Sequence, residues 1–222
     1  MNHTPLVYSP PPDEGLDIRY QDAALLVVAK PAGLLAVPGR GPDKQDCLAS
    51  RVQARFPGAL VVHRLDLGTS GLLVMALTRD VQRALGRQFE LRQVEKHYIA
   101  VVAGQLAAGE LTINLPLIVD WPNRPRQIVD HVIGKPALTR LQALAYDAAS
   151  DTTRVLLLPE TGRSHQLRVQ LPAIGHPILG DELYAPPERQ AQAPRLLLHA
   201  AFLAFSHPLS GERVEASCPP PF

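Results

Sequence analysis

The distribution of apolar residues divides the chain into many short strands and few helices. Ala24 to Ala29 (ALLVVA) is an apolar run with the length of a buried strand, and Leu72 to Leu77 is another. Further strands are predicted at Tyr98 to Ala103, Leu111 to Ile118, Ala137 to Ala145, Arg154 to Leu158 and Leu196 to Phe205. Because strands outnumber helices without regular alternation, the pattern favours an α+β fold with a mixed, largely antiparallel sheet.

Two segments have the spacing of an amphipathic helix. Leu48, Val52 and Phe56 recur every four residues, and Asp46 is the predicted cap of this first helix. A second helix is predicted from Asp80 to about Leu91. Its inward-facing residues are Val81, Ala84, Leu85 and Phe89.

The proline-rich segments differ from this pattern. Residues 1–15 include Pro10, Pro11 and Pro12, which forbid regular hydrogen bonding, and are predicted to form a flexible arm. Residues 16–222 are predicted to form a single domain, a length near the upper limit for one hydrophobic core. The stretch between Pro186 and Pro194 is predicted to be an exposed loop.

Composition indicates a globular protein and excludes several classes of site. Hydrophobic residues make up 46% of the chain and charged residues 19%. Cys47 and Cys218 lie far apart and form no C-x-x-C pair, which argues against a zinc knuckle, a redox motif or a disulfide scaffold. No apolar run approaches the roughly 20 residues that span a bilayer. We therefore expect a soluble, cytoplasmic protein.

Charge alone gives no case for a polyanionic partner, since the net charge is +1. Of the 22 basic residues, however, 18 are arginine, whose planar group suits phosphates and stacks on bases; genomic composition is an equally good explanation. Arg79, Arg83 and Arg87 share one helix face, for which a solvated surface is the better interpretation than phosphate contact.

Two polar runs carry the candidate chemistry. HRLDLGTSG, residues 63–71, lies between the apolar triplets LVV and LLV, where charged groups must be paired or presented into a cleft. Thr69 and Ser70 are predicted to satisfy backbone donors around the Asp66 carboxylate. ETGRSHQLR, residues 160–168, follows a strand, leads into a helix predicted to begin near Ser164, and supplies arginines that would hold Asp66 ionised. The alternative is a buried ion-pair network without catalytic function.

HRLDLGTSGLLVMALT resembles the signature of the RluA-type pseudouridine synthases. The similarity extends over nearly the whole chain, through VVAKPAGLLAVPG, EKHYIAVVAG, TGRSHQLRV, GHPILGDELYA and LLLHAAFLAFSHP. DWPNRPRQ followed by GKPALT is similar to the short members that act on both transfer RNA and 23S ribosomal RNA. The resemblance implies the catalytic fold of that family, with flanking helices and a central cleft.

The resemblance also implies roles for four residues. Asp66 would be the catalytic carboxylate and Arg168 its ion-pair partner. Arg64 would enter the helix stack that the target uridine leaves, and Tyr98 would stack on the flipped uracil. No cofactor or metal is implied, and no H-x-x-x-H pair with a third ligand is evident. The expected partners are a tRNA anticodon stem-loop and a 23S rRNA hairpin, bound by a monomer.

The sequence leaves two other functions open, and Pro172 makes the geometry of the last predicted helix uncertain. The chain could be a non-catalytic RNA-binding module, or a nucleosidase-type hydrolase, which would need a second carboxylate such as Glu160 near the first. Pro172 falls about two turns into the helix expected after Ser164, where a kink would alter the direction of Arg168.

Overall fold

One large mixed sheet organises the chain in the computed structural model, which describes residues 8–222. The strands of this described part are β1 Asp17–Gln21, β2 Leu25–Lys30, β3 Leu60–Val61, β4 Ser70–Ala76, β5 Glu95–Ala103, β6 Glu110–Asn114, β7 Leu117–Val119, β8 Gln127–Val129, β9 Leu138–Asp147, β10 Thr152–Pro159, β11 Leu198–Ser206 and β12 Arg213–Ser217. Ten of them join the large sheet, and β7 and β8 form a separate hairpin.

The large sheet runs in the order β1-β2-β4-β11-β5-β10-β9-β6, with β12 beside β11 and β3 beside β4. Only β4 and β11 pair in parallel, at Ser70 with His199 and Gly71 with Ala200; the other pairs are antiparallel. The predicted α+β class with a mixed, largely antiparallel sheet is confirmed. The central position of β4 and β11 places the loop that enters β4 in the middle of the molecule.

Two helices cover opposite faces of this sheet. The helices of the described chain are α1 Leu48–Arg55, α2 Arg79–Glu90, α3 Gln166–Ala173 and the one-turn α4 Pro187–Gln190. Successive residues of a strand point to opposite faces. Leu72 and Val74 of β4 therefore pack with α2, whereas Leu73 and Met75 pack with α1. Since β4 is buried along its whole length, its entry point is held firmly.

The cap predicted for α1 is wrong by one residue. Cys47, not Asp46, is the N-cap, because its sulfur accepts the Ser50 backbone N–H at 3.4 Å while the Ser50 hydroxyl accepts the Cys47 N–H at 3.0 Å. The Asp46 carboxylate binds Arg51 instead. The second helix is confirmed, with Thr78 as its cap.

Other differences from the predicted elements have local causes. The strand predicted at Leu111 to Ile118 is two strands, β6 and β7, which are separated at Pro116, a residue without a backbone N–H. The short strands β1, β3, β8 and β12 were not predicted. Of these, β1 and β12 alternate exposed with more buried positions and lack a continuous apolar run. The predicted loop after Pro186 contains the one-turn helix α4.

Residues 8–15 of the predicted arm have no regular secondary structure but contact α1. Arg51 donates to the carbonyl of Pro11 at 2.6 Å, and the Tyr8 hydroxyl donates to the carbonyl of Asp46 at 2.8 Å. Residues 1–7 of the arm lie outside the described residues. Within residues 8–222, no helix has the length and apolar character needed to cross a membrane.

Candidate active site

The HRLD loop joins β3 to β4 and is closed by a hydrogen bond from the Thr69 N–H to the Asp66 carbonyl at 3.2 Å. Gly71 follows with φ 108°, and a Cβ atom there would lie 2.2 Å from the Ala200 carbonyl oxygen. Only glycine therefore permits the close pairing of β4 with β11. The prediction for Ser70 is wrong: its hydroxyl lies 2.8 Å from His199 Nδ1 and accepts from Arg195, away from Asp66.

All four predicted site residues line one cavity of about 120 Å³. Asp66 and Arg64 come from the HRLD loop, Tyr98 from β5 and Arg168 from α3. His165, Arg163 and Leu198 are among the other residues that line it. Residues distant in sequence thus converge because β4, β5 and β11 are neighbours in the sheet.

Arg168 is held between two carboxylates. Its Nε and Nη2 atoms donate to the two Asp181 oxygens, each at 2.8 Å, and its Nη1 donates to Asp66 Oδ2 at 3.3 Å. Burial alone would lower the pKa of Arg168, but the hydrogen bonds and charge of Asp181, together with Asp66, raise it. Arg168 therefore remains a cation, as the pairing with Asp66 requires.

The difficulty raised by Pro172 does not disturb this pairing. Helix α3 begins at Gln166, two residues later than predicted, after His165 in a left-handed conformation with φ 53°. Pro172 consequently lies in the last turn, and the helix ends at Ala173. Arg168 lies in the first turn, where Asp181 fixes its direction from outside the helix.

Tyr98 lines the cavity and has a hydroxyl without a hydrogen-bond partner in the described chain. It is partly buried on β5 and packs beside Leu65 and Ala200. Burial, and then the charge of Asp66, raises the pKa of the Tyr98 hydroxyl, which stays protonated at neutral pH. Within residues 8–222 this hydroxyl makes no hydrogen bond. The side chain can therefore receive a flat ligand without losing an existing hydrogen bond.

Arg64 lies at the exposed rim of the cavity, where no carboxylate of the described chain pairs with it.

A hydrolase would need a second carboxylate near Asp66, and among residues 8–222 no other carboxylate lines the cavity. Glu160 Oε1 instead lies 3.4 Å from Arg140 Nε. Both oxygens of Asp181 accept hydrogen bonds from Arg168. The geometry does not favour a two-carboxylate hydrolase.

The sequence analysis did not predict Asp181, Tyr184 or His165 as site residues. Asp181 is 1% exposed and accepts the backbone N–H groups of Leu183 and Tyr184 as well as Arg168. The Nδ1 atom of His165 lies 2.6 Å from the Tyr184 hydroxyl. Its Nε2 atom lies 3.9 Å from Asp66 Oδ1. The signal was present in GDELYA, where a polar pair follows the apolar PIL after one glycine.

No group of three or more His, Cys, Asp or Glu side chains that could hold a metal ion occurs between residues 8 and 222. The cavity instead presents one carboxylate, several cations and an aromatic ring. This set can bind an anionic ligand that carries a flat base, and it can direct a single carboxylate at that ligand.

Comparison with known proteins agrees with this set of groups. Residues 24–173 match the family model described as RNA pseudouridylate synthase. The chain belongs to this family, whose members isomerise uridine in RNA to pseudouridine, and it is therefore an isomerase acting on RNA.

Individual relatives are similar over almost the whole chain. The dual-specificity RNA pseudouridine synthase RluA of Escherichia coli K12 is 51% identical over 215 residues, which cover 97% of this chain and 98% of the relative. The protein of the same name from Pasteurella multocida is 50% identical over the same coverage. Among solved structures, human RNA pseudouridylate synthase domain containing 1 is 34% identical, with a TM-score of 0.80, over 96% of this chain and 87% of that one.

Proposed function

We propose that Asp66 is the catalytic carboxylate of the isomerisation. Asp66 acts at the ribose while the bond from uracil N1 to C1′ breaks. The uracil then turns and rejoins C1′ through C5, the proton leaves C5, and N1 is protonated. Substrate and product are isomers, so this sequence of steps consumes no co-reactant. The observation that carries the proposal is the Asp66 carboxylate, which Arg168 holds at 3.3 Å and which is the one carboxylate among residues 8–222 that lines the cavity.

Arg64 and Tyr98 handle the RNA around the target base in this proposal. A base inside a stem is out of reach, and extruding it costs a few kcal/mol of stacking and pairing. Arg64, exposed at the rim, fills the gap in the stack, and Tyr98, which lines the cavity, stacks on the extruded uracil. Both side chains line the cavity that holds Asp66, which supports this division of roles.

The β7–β8 hairpin supplies a second RNA contact in this proposal. We define the hairpin region as residues 117–133. Trp121 is 63% exposed and Arg124 stacks on its ring at 4.5 Å. Neither Arg124 nor Arg126 has a carboxylate partner within the described chain. Aromatic rings and unpaired arginines together suit bases and phosphates. A net charge of +1 is compatible with RNA binding because Arg64, Arg163 and Arg168 all line the cavity around Asp66.

The relatives named as dual-specificity enzymes suggest the substrates. We propose a tRNA anticodon stem-loop and a 23S rRNA hairpin of similar shape, recognised by a monomer in the cytoplasm. Both RNAs present a single-stranded loop on a stem, the form in which sequence-specific recognition of RNA usually occurs. No cofactor enters the proposal.

The experiment is pseudouridine mapping, by carbodiimide adducts and primer extension, on RNA from a deletion strain carrying wild type, Asp66→Asn or Asp43→Asn. Asp43 is an exposed carboxylate without an ion-pair partner in the described chain, and it controls for the charge change. We expect wild type and Asp43→Asn to restore discrete sites and Asp66→Asn to restore none. Restoration by Asp66→Asn would exclude the proposed role of Asp66. RNA binding without modification by wild type would favour the binding module, and release of free uracil would favour the hydrolase.

A further inference from the structure

Tyr184 joins the hairpin region to the cavity through its hydroxyl. The hydroxyl accepts the backbone N–H of Gln127, in β8, at 2.8 Å, and lies 2.6 Å from Nδ1 of His165. A phenol has one proton, and in the described chain that proton has no acceptor other than His165 Nδ1. We therefore assign Tyr184 as the donor to Nδ1.

This donation fixes the tautomer of His165. With Nδ1 as acceptor, the neutral ring carries its proton on Nε2. Nε2 lies 3.9 Å from Asp66 Oδ1, whereas Arg168 donates to the other oxygen, Oδ2, at 3.3 Å. A hydrogen bond from Nε2 requires an approach of about 1 Å. The Nε2–H group thus faces the second oxygen of Asp66 from just beyond bonding distance.

Tyr184 also contacts both regions through its ring and backbone. Its ring lies 5.4 Å from the guanidinium of Arg168 on the cavity side and 5.3 Å from that of Arg126 on the hairpin side. Its backbone N–H donates to Asp181 at 3.2 Å. A displacement of the hairpin would therefore move the Tyr184 side chain through its contacts with Gln127 and Arg126.

We propose that Tyr184 and His165 are positioning residues that couple RNA docking on the hairpin to the geometry of Asp66. When RNA phosphates engage Arg124 and Arg126, the hairpin shifts Tyr184, and His165 closes onto Oδ1. The carboxylate is then held at both oxygens and presents one defined lone pair to the ribose. This inference rests on the proposed function, because it assumes that Asp66 is the catalyst.

Burial and the charged groups around His165 determine the direction in which its pKa is shifted. Burial, Arg168 and Arg64 disfavour the imidazolium, whereas Asp66 and Asp181 favour it; burial is the largest influence, and the pKa of His165 is lowered. The hydrogen bond from Tyr184 to Nδ1 stabilises the neutral form and contributes to the same direction. Removal of the Tyr184 hydroxyl should therefore raise the pKa of His165.

The test is single-turnover kinetics with a stem-loop RNA and the variants Tyr184→Phe, His165→Asn and the double variant. Asparagine tolerates the left-handed backbone of residue 165, and His165→Gly is the second choice if His165→Asn does not fold. Tyr146→Phe is the matched control, since its exposed hydroxyl bonds only to Asp151. We expect Tyr184→Phe to lower the saturating rate about tenfold, as for the loss of one hydrogen bond in an active site, with RNA affinity nearly unchanged.

The double variant separates coupling from independent effects. If Tyr184 acts through His165, the double variant is no slower than His165→Asn alone. Multiplicative rate losses, or weaker RNA binding at an unchanged saturating rate, would overturn the inference. Failure of wild type to form pseudouridine would refute the proposed function itself and is recognised separately.

Discussion

The polar groups around Asp66 and those of the hairpin region differ in burial and in ion pairing. Around Asp66, the cation Arg168 and the carboxylate Asp181 are almost fully buried and mutually saturated. In the hairpin region, Trp121 is 63% exposed, Val132 is 91% exposed, and Arg124 has no carboxylate partner within residues 8–222. The ion pair of Arg168 with Asp181 is complete without a ligand, whereas Trp121 and Arg124 of the hairpin region offer unused contacts.

The difference follows from what each region must do. A catalytic carboxylate gains from fixed partners, because geometry set in advance costs nothing at the moment of reaction. A surface that binds RNA must instead leave cations and rings available to phosphates and bases. Substitutions should therefore act on stability and rate in the first region, and on affinity and its salt dependence in the second.

The largest expected effect is on folding stability at the buried ion pair. Asp181→Ala leaves the Arg168 guanidinium buried with only its 3.3 Å contact to Asp66, and should cost about 3–5 kcal/mol of unfolding free energy. Glu182→Ala removes an exposed carboxylate from the next position and should change stability by less than about 0.5 kcal/mol. Urea unfolding measures both. Equal stabilities would show that the buried pair does not hold the region together.

Arg64 should increase kcat/KM only on RNA in which extrusion of the target base leaves a gap in a helix stack. Arg64→Ala should lower kcat/KM on a folded stem-loop by about 30-fold, corresponding to roughly 2 kcal/mol of the cost of base extrusion. The loss on an unstructured oligonucleotide of the same sequence should be much smaller. Arg87→Ala, on the exposed face of α2, is the control. Equal losses on the two RNAs would remove the stack-filling role.

His63, next to Arg64 in the HRLD loop, should make the fold sensitive to acid. Burial, and then the charge of Lys96, lowers the pKa of His63 to about 3, and Nε2 accepts the Val74 N–H at 3.1 Å. Between pH 6.5 and about 3, the unfolded chain binds a proton that the folded chain excludes. The stabilisation is complete above pH 6.5 and is lost on acidification, at up to about 1.4 kcal/mol per pH unit.

Urea unfolding at pH 7, 6 and 5 measures this loss. His63→Gln keeps an acceptor for Val74 but does not titrate, so its unfolding free energy should fall less steeply with acidification. An identical slope in wild type and His63→Gln would assign the acid sensitivity to other groups.

The smallest expected effect is on RNA affinity in the hairpin region. Arg124→Ala should weaken binding by about 1 kcal/mol at low salt and reduce the slope of log K against log salt by about 1, as for one lost phosphate contact. Arg83→Ala makes the same charge change on α2, where Arg83 pairs with Asp80, and should leave the slope unchanged. A larger effect of Arg83→Ala would place the RNA on the arginine face of α2.

The chemistry around Asp66 was predictable in outline because its residues stand in two short polar runs between buried strands. Apolar runs located β2, β4 and most of β5, and the four-residue spacing located α1 and α2. A carboxylate and an arginine flanked by buried segments must find partners, and Arg168 does lie beside Asp66.

The partners of those residues were not predictable, since they depend on the tertiary fold. Asp181 bonds to Arg168 across a turn whose conformation no periodicity reveals, and Tyr184 reaches His165 and Gln127 only after folding. The cap of α1 was misassigned because Cys47 is a rarer cap than the aspartate beside it. The β7–β8 hairpin was missed as a separate unit because its two strands have only three residues each.

The most direct test of the central claim is the formation of pseudouridine by purified wild type and Asp66→Asn on a transcribed anticodon stem-loop, with RNA affinity measured in parallel. The account predicts conversion by wild type, conversion slower by at least about 10⁴-fold in Asp66→Asn, as when a catalytic nucleophile or base is removed, and similar affinity for the RNA. Conversion by Asp66→Asn at a rate near that of wild type would contradict the account and move the catalytic group elsewhere in the cavity.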